Sequence, residues 1–232
     1  MIILAMDSTA QTASVAVCDG ERLLAEYTLN NGNTHSETLL PMVETMLGAL
    51  SLTVDEVDLF AVSEGPGSFT GVRIGAATLK GLAFGRSKPC VGVSTLEALA
   101  YNLVDCGGMI CPVMNARRAQ VYTALFSSDG STLTRQMPDT AISIAELDAM
   151  LAEKNMPVRF CGDGYDVTLA GLQRTQAIGV SERLRYQSAY AVAQVARRMA
   201  EQGDVQDDVS LAPTYLRMPQ AERERLEKLK NQ

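Results

Sequence analysis

The sequence has a single histidine, His35, among 232 residues. A site needing two histidine ligands therefore cannot form within this chain. Its five cysteines, Cys18, Cys90, Cys106, Cys111 and Cys161, are odd in number and include no Cys-x-x-Cys pair. That pattern fits neither a zinc ribbon nor a disulfide framework, and suits buried thiols in a reducing compartment. No apolar run reaches the roughly 20 residues that a membrane span needs. The N-terminus has no basic leader and carries Asp7 inside its apolar stretch, so it reads as a buried strand and not a signal peptide. The expectation is a cytoplasmic protein without membrane attachment. Positive charge is scarce: 20 Lys and Arg stand against 27 Asp and Glu, a net −7. A protein that grips nucleic acid alone shows a basic stripe, so any such contact is expected to rest mainly on other molecules. No Gly-Lys-Ser/Thr phosphate loop occurs, and Gly67–Gly71 has the wrong spacing for a nucleophile elbow.

What is present is a globular composition with a clear internal order. Hydrophobic residues make up 47% of the chain, enough to exclude disorder as the main state. The segments 2–7, 12–18 and 22–29 read as strands, with Asp19-Gly20 as a hairpin turn. Residues 34–50 carry a helical stripe, and Pro41 places its start near 38 or a kink there. A strand at 59–64, a Gly-rich loop, a helix near 70–84, a strand at 91–94 and a helix at 95–103 complete a βββαβαβα unit. The second half repeats the opening: 111–130 aligns beneath 3–20, setting Met114-Asn115 under Met6-Asp7. Helices near 143–154 and 188–202 follow, with a strand at 158–162 between them. A duplicated unit of this kind predicts an α/β fold of two ribonuclease-H-like lobes, as in the actin/hexokinase-like ATPase superfamily, with mixed sheets flanked by helices. The expected division is 1–104, 105–216 and a charged tail at 217–232. That tail holds five basic and three acidic residues, with a short charged helix expected at 221–230.

Two segments could carry chemistry. Gly65-Pro66-Gly67-Ser68 leads from a strand into a helix, where free N–H groups form a candidate phosphate cradle. Asp7 ends the first strand, where phosphotransferases of this superfamily orient magnesium and phosphate; it is equally suited to capping its own turn. Its counterpart is Asn115, so a two-carboxylate arrangement is absent. His35 reads as a cap, and Gly162-Asp163-Gly164 as a turn. The helix near 70–84 contains Gly71, Gly75 and Gly81, each costing about 1 kcal/mol relative to Ala. Gly71 and Gly75 share a face with Thr78, Leu79 and Leu82. A small-residue face admits a close neighbour, within the chain or on a partner; the partner is the reading taken here.

Several segments together resemble the bacterial TsaB family across the whole chain: 3–17, THSETLLPMVE (34–44), VSEGPGSFTGVRIGAATLKGLAFG (62–85), 91–100, MNARRAQVYTALF (114–126) and PTYLR (213–217). The resemblance implies a non-catalytic dimerization subunit of the complex that forms N6-threonylcarbamoyladenosine at position 37 of tRNAs reading ANN codons. It implies pairing with the catalytic paralogue TsaD and the ATPase TsaE, a homodimer when alone, and tRNA reached indirectly through the complex. ATP and a metal are then expected in the partner subunits and no cofactor in this chain alone. Thr95 and Leu99 stand where the paralogue has its metal-binding histidines, and Asn115 where relatives usually have Asp. The expected interface is Leu39, Met42, Val43 and Met46 on the first helix, and Gly71, Arg73, Ile74, Gly75, Thr78, Leu79 and Leu82 on the second. The alternative is a stand-alone ATP-binding phosphotransferase using Asp7, Gly65, Gly67 and Ser68.

Overall fold

The computed structural model describes residues 1–32 and 34–217. Strands β1 (Ile2–Asp7), β2 (Ala13–Asp19) and β3 (Arg22–Leu29) form an antiparallel meander. Gly20 takes φ 59° in the first tight turn, a conformation glycine adopts without Cβ strain. Helix α1 (His35–Leu50) carries the chain across to β4 (Leu59–Gly65), parallel to β1. Helix α2 (Phe69–Ala83) does the same for β5 (Cys90–Ser94), parallel to β4. The first sheet has the order β3-β2-β1-β4-β5.

After α3 (Thr95–Tyr101) the plan repeats. Strands β6 (Gly108–Asn115), β7 (Gln120–Ser128) and β8 (Leu133–Ser143) are antiparallel. Helix α4 (Ile144–Lys154) leads to β9 (Val158–Cys161), parallel to β6. Helix α5 (Tyr165–Gly171) leads to β10 (Ala177–Ile178), parallel to β9. The order β10-β9-β6-β7-β8 matches the first sheet strand for strand. This is a two-lobed, duplicated α/β fold of two mixed sheets flanked by helices, as the internal repeat predicts.

The first sheet is buried on both faces, which explains the unbroken apolar run of β1. Leu4 and Met6 face α1 and α2, packing with Leu39, Met42, Val43, Met46 and Leu79. Ile3 and Ala5 face the other way, onto α6 (Ala189–Glu201), whose Ala189, Ala191, Ala193 and Ala196 let it lie close. A division at 104/105 therefore separates the sheets but not the helices, because α6 returns from the second half to cover the first sheet. Helix α3 supplies Leu96 and Leu99, and the turn after it Leu103, to the core of the second sheet.

Helix α1 begins at His35 and runs through Pro41, so it does not start near 38. Pro41 and Glu37 are both exposed, and the carbonyl that proline leaves unpaired meets water there. After α6 the chain runs back across the molecule: Gln206 bridges Cys90, Leu211 is buried, and Thr214 N–H donates to Glu64 O at 2.7 Å. The helix expected at 221–230, like all of the tail beyond Arg217, lies outside the described residues. Among the described residues no helix is long and apolar enough to cross a membrane.

Candidate functional site

The β1–β2 turn meets the β4–α2 loop at Asp7. Its side chain is fully buried. Oδ1 accepts from Thr9 N–H at 2.8 Å and Thr9 Oγ1 at 2.7 Å, and Oδ2 accepts from Ser63 Oγ. Burial raises the Asp7 pKa, and the bonds from Ser63 and Thr9 pull it partly back. Both carboxylate oxygens are thus occupied by the chain's own donors. Asn115 repeats the local pattern in the second copy, its Oδ1 accepting from Arg117 N–H at 2.9 Å. Each residue caps the turn two positions on. Among the described residues no three His, Cys, Asp or Glu side chains are grouped to hold a metal ion.

A cleft of about 530 Å³ opens between the two sheets. Its walls come from Thr9–Gln11, Pro66–Phe69, Met114–Arg117, Asp163, and the returning segment Thr214–Arg217. Of the phosphate-loop candidates, Gly67 and Ser68 reach this cleft. Asp7 lies behind its wall, and Gly65 presses on Thr214, whose carbonyl oxygen would be 2.3 Å from an added Cβ. Ser68 N–H donates to Thr9 O at 2.7 Å, and Ser68 Oγ accepts from Gly71 N–H as the helix cap. Part of the predicted cradle is thereby spent on the fold itself.

Asp163, in the Gly162-Asp163-Gly164 turn expected from the sequence, also lines the cleft. Its carboxyl accepts from Asn115 N–H at 3.2 Å. Loss of water in the cleft raises its pKa, and the charge of Asp7 adds to the effect. The signal was its flanking glycines. A Cβ on Gly162 would sit 2.1 Å from Val113 O, and one on Gly164 3.0 Å from the Met114 carbonyl carbon. Only glycine lets that loop press against β6. Thr95 and Leu99 are both buried and take no part in the cleft. His35 Nε2 lies 2.6 Å from Ala10 O and ties the start of α1 to the β1–β2 turn.

The structure corrects several of the expected interface positions. Leu39, Met42, Val43, Met46 and Leu79 are buried in the core of the first sheet, so in this arrangement they face no partner. Gly71 and Gly75 are also turned inward. An added Cβ would lie 2.0 Å from Ser8 O at position 71, and 2.8 Å from Ser8 Oγ and 3.1 Å from Val62 Cγ2 at position 75. The close neighbour is the β1–β2 turn of the same chain. Arg73 is exposed, while Ile74, Thr78 and Leu82 are half-buried along the outer side of α2. Sequence reasoning missed Ala77 and Gly81, which are exposed between them. At about 100° per residue, Gly81 stands roughly 240° around the helix from Gly75. Nothing lies within 4 Å of a Cβ built on it. Leu40 on α1 is 43% exposed, and Phe84 and Val209 are 75% and 78% exposed.

Comparisons with known proteins give two names, TsaD for the family model and TsaB for curated relatives. The family described as TsaD, tRNA N6-adenosine threonylcarbamoyltransferase, matches residues 22–224. The chain is 32% identical over 234 residues to the tRNA threonylcarbamoyladenosine biosynthesis protein TsaB of Bacillus subtilis, covering 99% of this chain and 100% of that protein. It is 35% identical over 131 residues to the protein of the same name from Escherichia coli, covering 56% of each. Among solved structures it resembles YeaZ from Pseudomonas aeruginosa with a TM-score of 0.79 and 25% identity, over 93% of this chain and 99% of that one.

Proposed function

The chain belongs to the TsaB family of tRNA threonylcarbamoyladenosine biosynthesis proteins, and from that premise we propose that it acts as a non-catalytic subunit that pairs with a TsaD-like catalytic subunit. The observation that carries the proposal is the outward face of α2. Ile74, Ala77, Thr78, Gly81 and Leu82 form a low, largely apolar strip, and α1 exposes Leu40. A strip of this shape lets two helices of a partner approach closely. The same strip serves a homodimer when the catalytic subunit is missing. ATP and metal chemistry then belong to the partners, including a TsaE-like ATPase, and the assembly works in the cytoplasm. Support for a non-catalytic role comes from Asp7, whose oxygens are both engaged inside the fold. The phosphotransferase alternative needs that carboxylate free to orient magnesium.

Gly81→Leu separates fold from pairing. The position is open: outside its own helix, nothing lies within 4 Å of a Cβ placed there. Removing a helical glycine is expected to stabilise the subunit by about 0.5–1 kcal/mol. The same side chain fills the space a partner helix needs, and the heteromer is expected to weaken at least about tenfold, about 1.4 kcal/mol. Thermal unfolding and light scattering with the catalytic paralogue read the two effects. Undiminished pairing would remove the outward face of α2 from the interface. Gly75→Leu cannot serve as this test, because its clash with Ser8 and Val62 would damage the fold itself.

A further inference from the structure

The mouth of the cleft gathers guanidinium groups that no carboxylate neutralises. Arg117 lines the cleft and Arg118 follows it on the β6–β7 turn; both are exposed. Neither side chain has a hydrogen-bond or ion-pair partner among the described residues. Arg217, from the returning segment, reaches the same turn and donates to Ala116 O and Gln120 Oε1, both uncharged. Arg73 stacks on Phe69, with its guanidinium carbon 3.8 Å from the ring centroid, and donates to the Tyr215 hydroxyl at 2.9 Å. Of the other described arginines, Arg86, Arg135, Arg185 and Arg197 each pair with Asp or Glu, while Arg22, Arg159, Arg174, Arg183 and Arg198 lie outside the cleft wall and have no acidic partner either. In a chain of net charge −7, four arginines without acidic partners around one opening form a local positive field. Asp163 is the acidic residue in the wall, and it is engaged by Asn115 N–H.

The β6–β7 turn is built to present two of these arginines. Arg117, Arg118 and Ala119 have φ of 63°, 54° and 55°, three consecutive non-glycine residues in the left-handed region. Such residues are strained and persist where surrounding contacts fix them. Here Ala116 N–H donates to Gln120 O, Ile144 N–H to Ala119 O, and Arg217 clasps the turn from outside. Glycine would hold the same backbone without strain, but it would carry no charge.

We infer that this arginine rim is a direct docking surface for the phosphodiester backbone of the tRNA. The inference rests on the pathway assignment above and goes beyond the indirect contact that the acidic composition suggests. Guanidinium forks match phosphate oxygens in geometry as well as charge. Tyr215, 40% exposed and stacked against Phe69 at 4.9 Å, adds an aromatic surface of the kind that receives unpaired RNA bases.

The test is the double variant Arg117→Gly/Arg118→Gly. Binding of a labelled, unmodified tRNA transcript is followed by fluorescence anisotropy at several KCl concentrations. It is measured with the chain alone and with its complex with the catalytic paralogue. Each lost phosphate contact lowers the salt slope by about 1, so the pair is expected to lower it by about 2 and to weaken binding roughly tenfold near 0.1 M salt. The thermal midpoint is expected to hold or rise, which a merely structural role for the arginines would not produce. Unchanged affinity and slope would overturn the inference, as would absence of tRNA binding by the parent in both forms. Unchanged tRNA binding with weakened assembly, seen by light scattering, would overturn it in favour of an acidic protein surface. Whether the parent pairs with the catalytic subunit is read separately, so failure of the scaffold assignment is distinguishable.

Discussion

Gly71→Ala is expected to lower the thermal unfolding midpoint by about 5–15 °C, corresponding to a net loss of about 2–4 kcal/mol. In an exposed helix the same change stabilises, by about 1 kcal/mol. Here the new methyl carbon would sit 2.0 Å from Ser8 O and 3.2 Å from the Ser8 carbonyl carbon. Those are backbone atoms, and no rotamer change relieves the clash. Either α2 or the β1–β2 turn must move. Ser8 Oγ donates to Gly71 O at 2.9 Å, and that bond stretches with the movement. Asp7 and Thr9 flank Ser8, so their hydrogen bonds are disturbed as well. Circular dichroism melts of Gly71→Ala and Gly81→Ala should move in opposite directions. A midpoint for Gly71→Ala equal to that of the parent would refute the inward placement of this glycine.

Asp7→Ala should cost about 3 kcal/mol, because it leaves Thr9 N–H, Thr9 Oγ1 and Ser63 Oγ as buried donors without an acceptor. Asp7→Asn should cost little. The amide oxygen can still accept from Thr9, and the Ser63 hydroxyl can rotate to accept from the amide nitrogen. The pH dependence separates these variants further. The folded-state pKa of Asp7 is raised above its ordinary value of 3.8. Its contribution to stability is therefore fully present below the unfolded-state value. It is lost as pH rises from there through the folded-state value. Asp7→Asn removes that downward slope. Urea unfolding at a series of pH values measures it, and equal damage from Asn and Ala would contradict the turn-cap role. A magnesium-orienting Asp7 would instead make Asp7→Asn abolish threonylcarbamoyladenosine formation by the assembled complex; as a turn cap it leaves that formation intact.

Much of the fold was readable because its patterning is local. The runs at 2–7 and 22–29 coincide with β1 and β3, and the helix near 143–154 with α4. The duplication was visible in the alignment of 111–130 with 3–20 and reappears as one strand order used twice. Strand β8 escaped notice because Pro138 interrupts it; the strand lies at the sheet edge, where a missing N–H is tolerated. Helix α5 and strand β10 are too short to show a period.

The candidate site was less legible. A glycine stripe signals close approach without saying from which side. Gly71 and Gly75 face Ser8, while Gly81, on the same helix, faces open space. Helical phase relative to Leu79, which is fully buried, would have separated them. The arginine rim was hidden for a different reason. Arg73, Arg117 and Arg217 are far apart in sequence and meet only through the fold, while the whole-chain charge points the other way.

The return of α6 to the first sheet has a consequence for synthesis. By the time Ser94 leaves the ribosome, the first sheet has all its strands and the two helices of one face. Its other face, with Ile3, Ala5, Ala16, Val91 and Val93, stays bare until Ala189–Glu201 emerges. At ordinary translation rates that interval is on the order of ten seconds. During it the nascent chain displays a broad apolar surface, a natural substrate for a ribosome-associated chaperone. A fragment ending after the first sheet would carry that surface permanently, and should be recovered mainly as aggregate.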